Sequence, residues 1–144
     1  MARFLITGAS RGLGEMLQLK LPQKLDTVYL VSRSKPKQPR DGIKRHWIQA
    51  DLAQQGVVKV VIETLGDVTL DVLIYNAGIW EENAFSEDYN FEALSEEEMR
   101  QVIDVNLNSA IMVVQKLLPN LRKSLNPKII LIGSVTKPTR EVPK

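Results

Sequence analysis

Three glycines close to the N-terminus have the spacing of an anion-binding turn. They occupy positions 8, 12 and 14, directly after the short apolar run 4–6, and helix-forming residues resume at Glu15. A strand that turns through glycines into a helix leaves unpaired backbone N–H groups and the positive end of a helix dipole at one point. That point suits a pyrophosphate, because the amide hydrogens and the dipole both favour negative charge.

Each glycine would have its own role in such a turn. Gly8 permits the tight bend, Gly12 lets the backbone approach the phosphates, and Gly14 lets the helix pack closely on the strand. The spacing is Gly-x-x-x-Gly-x-Gly rather than Gly-x-Gly-x-x-Gly, so an ordinary strand-to-helix turn is the alternative interpretation. No Gly-Lys-Ser/Thr follows the loop, which excludes a Walker-type site.

The position that would read the ribose of a dinucleotide carries arginine rather than an acid. The run 28–31 predicts a second strand, and Ser32 and Arg33 follow it roughly 20 residues beyond the glycine turn. An acid there would accept hydrogen bonds from a 2′-hydroxyl, whereas guanidinium groups bind a 2′-phosphate by charge-assisted hydrogen bonds. Together with Arg11 in the glycine loop, Arg33 favours NADP over NAD. The alternative is that Arg33 only begins the solvated basic loop 34–45.

The next two strands end in residues that fit the same site. Asp51-Leu52 follows a third strand ending near Ala50, and Asp51 either caps a helix beginning at Leu52 or Ala53 or lies beside the adenine. The apolar run 70–75 predicts a fourth strand, covered on both faces. It ends in three small residues that would allow a ligand to come close: Asn76, Ala77 and Gly78.

Helical patterns separate these strands, as parallel pairing requires. A helix over 13–21 would present the apolar residues Leu13, Met16, Leu17 and Leu21. The segment 57–65 is rich in β-branched residues, but the need for a crossover favours a helix there. The longest helix is predicted over 104–123, with an apolar stripe comprising Leu107, Ala110, Ile111, Val114, Leu118 and Leu121.

An acidic segment precedes that helix. Residues 81–98 contain no Lys or Arg, and Ser95-x-x-Glu98 forms a capping box that predicts a helix start. Aromatic residues are interleaved with the acids, and we expect them to pack the loop down; a share in a substrate pocket is the alternative. The acids are Glu81, Glu82, Glu87, Asp88, Glu92, Glu96, Glu97 and Glu98, and the aromatics are Trp80, Phe85, Tyr89 and Phe91.

Four consecutive aliphatic residues over 129–132 predict a fifth strand buried on both faces, followed by Gly133 and Ser134. The residues after it, 135–144, are polar and contain two prolines. The fifth strand would then remain an exposed apolar edge, which natural proteins avoid. We therefore expect one domain over 1–144 that is incomplete at its C-terminal side.

Composition excludes several classes of protein. With 44% hydrophobic residues the chain has enough for one core, and a net charge of +2 gives no reason to expect nucleic acid as the main partner. The absence of cysteine and the single histidine exclude disulfides and a Cys/His zinc site, so no metal site is predicted. No apolar run approaches membrane-spanning length, and a cytoplasmic protein without a signal peptide is expected.

By these residues the chain resembles the short-chain dehydrogenase/reductase family. Each of its motifs is weakly specific alone, but together and in order they cover the whole chain. The motifs are Thr7-Gly8-Ala9-Ser10-Arg11-Gly12-Leu13-Gly14, Asp51-Leu52, Asn76-Ala77-Gly78, Asp104-Val105-Asn106 and Gly133-Ser134-Val135.

The resemblance implies an α/β, Rossmann-type, doubly wound parallel sheet in three layers, with about five strands in order 3-2-1-4-5. It implies a nicotinamide cofactor, hydride transfer between an alcohol and a carbonyl, and a homo-oligomer through the 104–123 helix. Ser134 would hydrogen-bond the substrate oxygen, and Asn106 would order a water relay. The residues expected at the cofactor are Gly8, Ser10, Arg11, Gly12, Leu13, Gly14, Ser32, Arg33, Asp51, Leu52, Asn76, Ala77 and Gly78.

The chain departs from the family in one respect. The family's Tyr-x-x-x-Lys lies beyond the serine, and residues 135–144 contain no such motif. A serine hydroxyl is a poor proton donor near neutral pH, so the given chain lacks a general acid and is expected to be inactive. Two hypotheses remain: the cofactor-binding part of an NADP-dependent oxidoreductase, or a non-catalytic NADP(H)-binding module. A third candidate, a methyltransferase using S-adenosylmethionine, is disfavoured because it normally has an acidic residue near the end of the second strand, where this chain has Ser32 and Arg33.

Overall fold

Five parallel strands form a single sheet in the computed structural model, which describes residues 1–134 of the chain. The strands are β1 (Arg3–Thr7), β2 (Thr27–Ser32), β3 (Lys44–Gln49), β4 (Val72–Tyr75) and β5 (Lys128–Leu131). Their order is β3-β2-β1-β4-β5, so the order reverses at β1. The predicted Rossmann-type sheet is confirmed, and a reversal of this kind opens a crevice at the carboxyl ends of the strands.

Helices cover both faces of the sheet. They are α1 (Gly12–Lys20), α2 (Val57–Leu65), α3 (Glu96–Ile103) and α4 (Ser109–Leu121), with a π-helical turn over Asp104–Asn108 that joins α3 to α4. On one face β1, β2 and β4 pack with α2 and α4, and on the other they pack with α1. The expected three layers are therefore present. No helix within residues 1–134 is both long and apolar enough to cross a membrane.

The face that α1 presents to the protein differs from the predicted one. Leu13, Met16 and Leu21 are about half exposed, whereas Gly14 and Gln18 are buried. Gln18 is buried because its side chain bonds the β2–β3 connection, donating to the Lys37 carbonyl at 3.0 Å. Of the predicted stripe only Leu17 packs against the core, and Gly14 and Gln18 make the other close contacts of this helix.

The β2–β3 connection is held by a buried arginine. The Arg45 side chain is 2% exposed; its Nε donates to Gln18 Oε1 at 2.7 Å, and its Nη1 pairs with Asp41 at 2.7 Å. The two hydrogen bonds from Arg45 lower the pKa of Asp41 to about 2. The loop is thus fastened to α1 by polar contacts rather than by a crossover helix.

The segment after β3 corrects one prediction. Asp51 does not cap a helix beginning at Leu52 or Ala53; its Oδ1 instead accepts from the Ala53 amide at 3.0 Å and closes a turn. Helix α2 begins only at Val57, after Gly56, which has a φ of 78°. The choice of helix for 57–65 is confirmed. Gly56, whose left-handed backbone suits glycine, therefore occupies the N-cap position predicted for Asp51.

The long helix begins earlier than predicted. Ser95 caps α3 by accepting from the Glu98 amide at 3.1 Å, which confirms the helix start read from the capping box. Glu98 does not close the box, because its carboxylate accepts from the Glu82 amide of the acidic segment. The buried face of the π turn and α4 also differs from the stripe, since Leu107 and Ile111 are exposed. The residues buried there are Val105, Ser109, Ala110, Val113, Leu117, Asn120 and Leu121.

The aromatic residues of the acidic segment do not pack it down as expected. Phe85 is 78% exposed, Phe91 is 67% exposed, and Trp80 meets Phe85 edge to face with ring centroids 5.0 Å apart. Trp80 and Phe85 thus contact each other, and both are more than half exposed. The segment is tied to the helix through polar contacts such as that of Glu98.

Strand β5 is exposed along its length. It pairs with β4 from Lys128 to Leu131, and all four of its residues are exposed. Among the described residues no strand pairs with its other side. The expected apolar edge is therefore present; residues 135–144, which include Val135 of the last motif, lie outside the described part of the chain.

Candidate functional site

The glycine turn joins β1 to α1 with almost no space between them. Gly8 has a φ of 67° and donates to the Val31 carbonyl at 2.9 Å. A methyl group on Gly14 would lie 2.6 Å from the side-chain nitrogen Nδ2 of Asn76 and 2.8 Å from the carbonyl carbon of Gly8. Gly12, with a φ of 57°, has no atom within 4 Å of such a methyl. Gly14 therefore packs helix against strand, while Gly12 borders open space.

The start of α1 is left open to an anion. Its N-cap residue, Arg11, has an extended backbone and its side chain does not cap the helix. The first amides of a helix carry partial positive charge and lack partners inside the helix. An anion beside Ser10 and Arg11 would meet both those amides and the Arg11 guanidinium.

A buried threonine ties the end of β4 to this turn. Thr7 is fully buried, and its Oγ1 accepts from the amides of Asn76 and Ala77, both at 3.0 Å. The side chain of Asn76 in turn donates to the Gly8 carbonyl at 3.2 Å. These contacts fix the ends of the two central strands as one rigid floor.

A cleft of about 810 Å³ opens above that floor, at the carboxyl ends of the strands. The wall of the cleft formed by α3 and by the turn after Asp51 was not predicted, because no motif marks the residues of those two segments. The predicted residues that line the cleft are Gly8, Ser10, Arg11, Ser32, Arg33, Asp51, Leu52, Asn76, Ala77 and Gly78. The residues that the prediction missed include Gln54, Gln55, Glu97, Arg100 and Gln101, whereas Asp104 belongs to the motif Asp104-Val105-Asn106.

The other predicted residues do not line the cleft, for different reasons. Gly12 and Gly14 act through the backbone of the turn, and Leu13 is 53% exposed on the outer side of α1. Ser134 is exposed just beyond β5, whose carboxyl end lies at the same edge of the sheet as that of β4. Asn106 lies in the π turn and contacts the segment after Gly78.

Asn106 clamps the backbone that leaves β4. Its Nδ2 donates to the Ile79 carbonyl and its Oδ1 accepts from the Ile79 amide, both at 2.8 Å. One residue earlier, the Val105 carbonyl accepts a hydrogen bond from the buried hydroxyl of Tyr75. Burial raises the pKa of Tyr75 well above its usual value, so this hydroxyl remains a donor. The π turn is thus joined to the end of β4 at two points.

The cleft has the features that a dinucleotide requires. Its volume lies within the roughly 300–1,000 Å³ typical of small-molecule sites. Arg11 and Arg33 line it beside the glycine turn, and Asp51 lines the same cleft. A side chain on Gly14 would have no room, and Gly12 leaves its backbone accessible.

A scan against protein-family models matches residues 2–142 to the short chain dehydrogenase model. The chain belongs to the short-chain dehydrogenase family. Among curated proteins, the 3-oxoacyl-[acyl-carrier-protein] reductase FabG of Staphylococcus aureus (strain Mu50) is 33% identical over 141 residues, which cover 91% of this chain and 55% of the relative. This short-chain dehydrogenase sequence thus spans about half the length of the curated relatives it matches.

Solved structures share the fold. The NADH-dependent reductase A1-R′ complexed with NAD is 25% identical with a TM-score of 0.77, covering 93% of this chain and 60% of that one. A short-chain dehydrogenase from Sphingobium yanoikuyae in complex with NADPH is 24% identical with a TM-score of 0.78, covering 94% of this chain and 54% of that one. The two neighbours hold different nicotinamide cofactors, so they do not distinguish NAD from NADP for this short-chain dehydrogenase.

Proposed function

We propose that this short-chain dehydrogenase binds NADP(H) in the cleft and contributes the cofactor-binding part of an oxidoreductase acting on an alcohol or carbonyl substrate. The observation that carries the cofactor choice is the pair of arginines, Arg11 and Arg33, at the edge of the cleft. Within residues 1–134 neither takes part in an ion pair, so both guanidinium groups are available to a phosphate. Arginine suits this role because its planar fork donates two hydrogen bonds to one phosphate.

Each group of residues would contact a different part of the cofactor or the substrate. The amides of the glycine turn hold the diphosphate, Arg11 and Arg33 hold the 2′-phosphate, and Asp51 lies beside the adenine. The nicotinamide, when bound, supplies the hydride. Ser134 would hydrogen-bond the substrate oxygen, and Asn106 would hold the backbone after β4 in place and help to order a water relay.

Cofactor titrations test the proposal. We expect NADPH to bind more tightly than NADH, and Arg33→Asp to narrow or reverse the difference, because a carboxylate repels a 2′-phosphate and accepts from a 2′-hydroxyl. Fluorescence titration of both cofactors against both proteins measures this. Equal affinities of the two cofactors in both proteins would contradict the proposal.

A non-catalytic NADP(H)-binding module is the second candidate, because the cleft alone accounts for cofactor binding without a catalytic residue. Reading the gene beyond codon 144 separates the two. A Tyr-x-x-x-Lys motif soon after codon 144 would support the oxidoreductase. A stop codon directly after codon 144 would support the module.

We also propose that the protein associates through the helices that precede β5. Ile103, Leu107 and Ile111 recur every four residues through α3, the π turn and α4, and all are more than half exposed. Residues four apart share one face of a helix, so they form one apolar stripe. Sedimentation of the protein with Leu107→Glu, compared with the unchanged protein, tests it: we expect the variant to dissociate, and an unchanged oligomeric state would contradict the proposal.

A further inference from the structure

Four hydrogen bonds hold the segment 32–34 that carries Arg33. The Trp47 indole N–H donates to the Ser32 carbonyl at 3.3 Å and to the Ser32 hydroxyl at 3.2 Å. The Ser32 hydroxyl donates to the Ser34 carbonyl at 2.7 Å. The side-chain amide of Gln49 donates through Nε2 to the Arg33 carbonyl at 3.2 Å. Residues 32–34 are therefore held on both sides of the Arg33 side chain.

The register of β2 and β3 explains why these two side chains reach this point. Ser32 lies opposite Gln49, and Leu30 lies opposite Trp47, in a parallel ladder. Residues two apart on a strand point to the same face, so Trp47 and Gln49 both extend toward the end of β2. The Ala50 amide adds a bond to the Ser32 carbonyl at 3.1 Å, which marks the last rung before the loop.

Beyond this rung the chain has no regular structure until Lys44. An arginine on such a loop would lose conformational entropy when it binds a phosphate, and that loss weakens binding. Tethers on the carbonyls of Ser32 and Arg33 remove part of this freedom before the ligand arrives. The Ser32 hydroxyl, already donating to Ser34 and accepting from Trp47, belongs to the tether.

We infer that Trp47 and Gln49 are positioning residues that hold Arg33 in place to receive the 2′-phosphate, and that they set the preference for NADPH through Arg33. The inference rests on the proposed function, because it needs Arg33 to contact that phosphate. Neither residue lines the cleft assigned to the cofactor. Their effect is confined to the cofactor that carries the phosphate.

The experiment measures the dissociation constants of NADPH and NADH for Gln49→Met and Trp47→Phe. Methionine keeps the length of glutamine without its amide donor, and Gln49 is exposed, so Gln49→Met is expected to fold. We expect the NADPH affinity to fall about fivefold in each variant, as the loss of one neutral hydrogen bond implies, with NADH affinity unchanged. Gln115→Met, on an exposed position of α4 away from the cleft, is the matched control and should change neither constant.

A second arm repeats Gln49→Met in an Arg33→Ala background. A residue that acts through Arg33 should have no further effect once Arg33 is gone, because the two substitutions remove the same interaction. An equal loss of NADPH affinity in both backgrounds would overturn the inference. So would a parallel loss of NADH affinity, which would indicate a purely structural role.

The failure of the proposed function would look different. If Arg33→Ala alone left the ratio of NADPH to NADH affinity unchanged, the assignment of Arg33 to the phosphate would be wrong, and this inference would fall with it. If Arg33→Ala lowered that ratio while Gln49→Met and Trp47→Phe did not, only the positioning role would be overturned.

Discussion

Replacing Gly14 by alanine tests the close approach of α1 to β1. The new methyl would overlap the Gly8 carbonyl oxygen, its nearest neighbour, and would lie 2.6 Å from Asn76 Nδ2 and 2.8 Å from the Gly8 carbonyl carbon. Carbon atoms in contact are normally about 3.5–4.0 Å apart, so the helix would have to move by roughly 1 Å. Both neighbours are fixed, since Asn76 bonds the Gly8 carbonyl and β1 is the central strand of the sheet.

Two opposing effects decide the sign of the change in unfolding free energy. Overpacking of a rigid site costs about 1–3 kcal/mol, and occasionally more. Alanine is favoured over glycine inside a helix by about 1 kcal/mol. Because the methyl meets backbone and a bonded amide rather than a flexible side chain, the clash should prevail. With the overpacking cost at its upper end, about 3 kcal/mol, because both neighbours are fixed, we expect a net loss of about 2 kcal/mol, which for a domain of this size corresponds to a fall in Tm of roughly 4–8 °C.

Chemical and thermal denaturation measure this loss, with Gly12→Ala as the comparison in the same turn. Gly12 has open space around the added methyl, so its variant should lose only the roughly 1–2 kcal/mol that a left-handed backbone costs a residue with a side chain. Gly12→Ala should nevertheless weaken NADPH binding, since the methyl enters the space left for the diphosphate. A Gly14→Ala protein that is as stable as the original, or more stable, would refute the reasoning about the turn.

Three further predictions follow from other contacts. Tyr75→Phe leaves the buried Val105 carbonyl without its donor and should lower the free energy of unfolding by about 1–3 kcal/mol in urea titrations; an unchanged midpoint would contradict the assignment of that bond. Asp41 has a lowered pKa, so its pair with Arg45 should contribute fully above the unfolded-state pKa of about 4 and be lost as pH falls through about 2. An NMR titration of the Asp41 carboxyl checks this, and a midpoint near 4 would show that the pair does not form. The 144-residue chain expressed alone should self-associate or be poorly soluble because β5 is exposed, and a cooperatively folding monomer would contradict that expectation.

The strands and the floor of the cleft could be predicted because their signals are local. The apolar runs gave β1, β2 and β4, and the residues directly after those strands are brought together whenever the strands are parallel neighbours. Gly8, Arg11, Arg33 and Ala77 line one cleft for that reason. The order of the strands followed from the family resemblance rather than from any single segment.

The helices were predicted less well because their packing depends on distant partners. Gln18 is buried only because Arg45 and the Lys37 carbonyl satisfy its amide, and no periodicity in α1 announces such a contact. Arg100 and Gln101 line the cleft from α3, and the predicted apolar stripe, which begins only at Leu107, does not include that helix. Polar contacts between distant helices, strands and loops therefore cannot be predicted from a single sequence.

We propose that unpaired backbone amides of the β1–α1 turn hold the diphosphate of a nicotinamide dinucleotide. An NMR titration of ¹⁵N-labelled protein with NADPH tests it most directly, because each amide of the turn reports separately. We predict that the largest shifts fall on the amides of Ser10 to Gly14, with smaller shifts on Ala77 and Gly78. Shifts confined to other parts of the chain, or no shifts at saturating NADPH, would contradict the account.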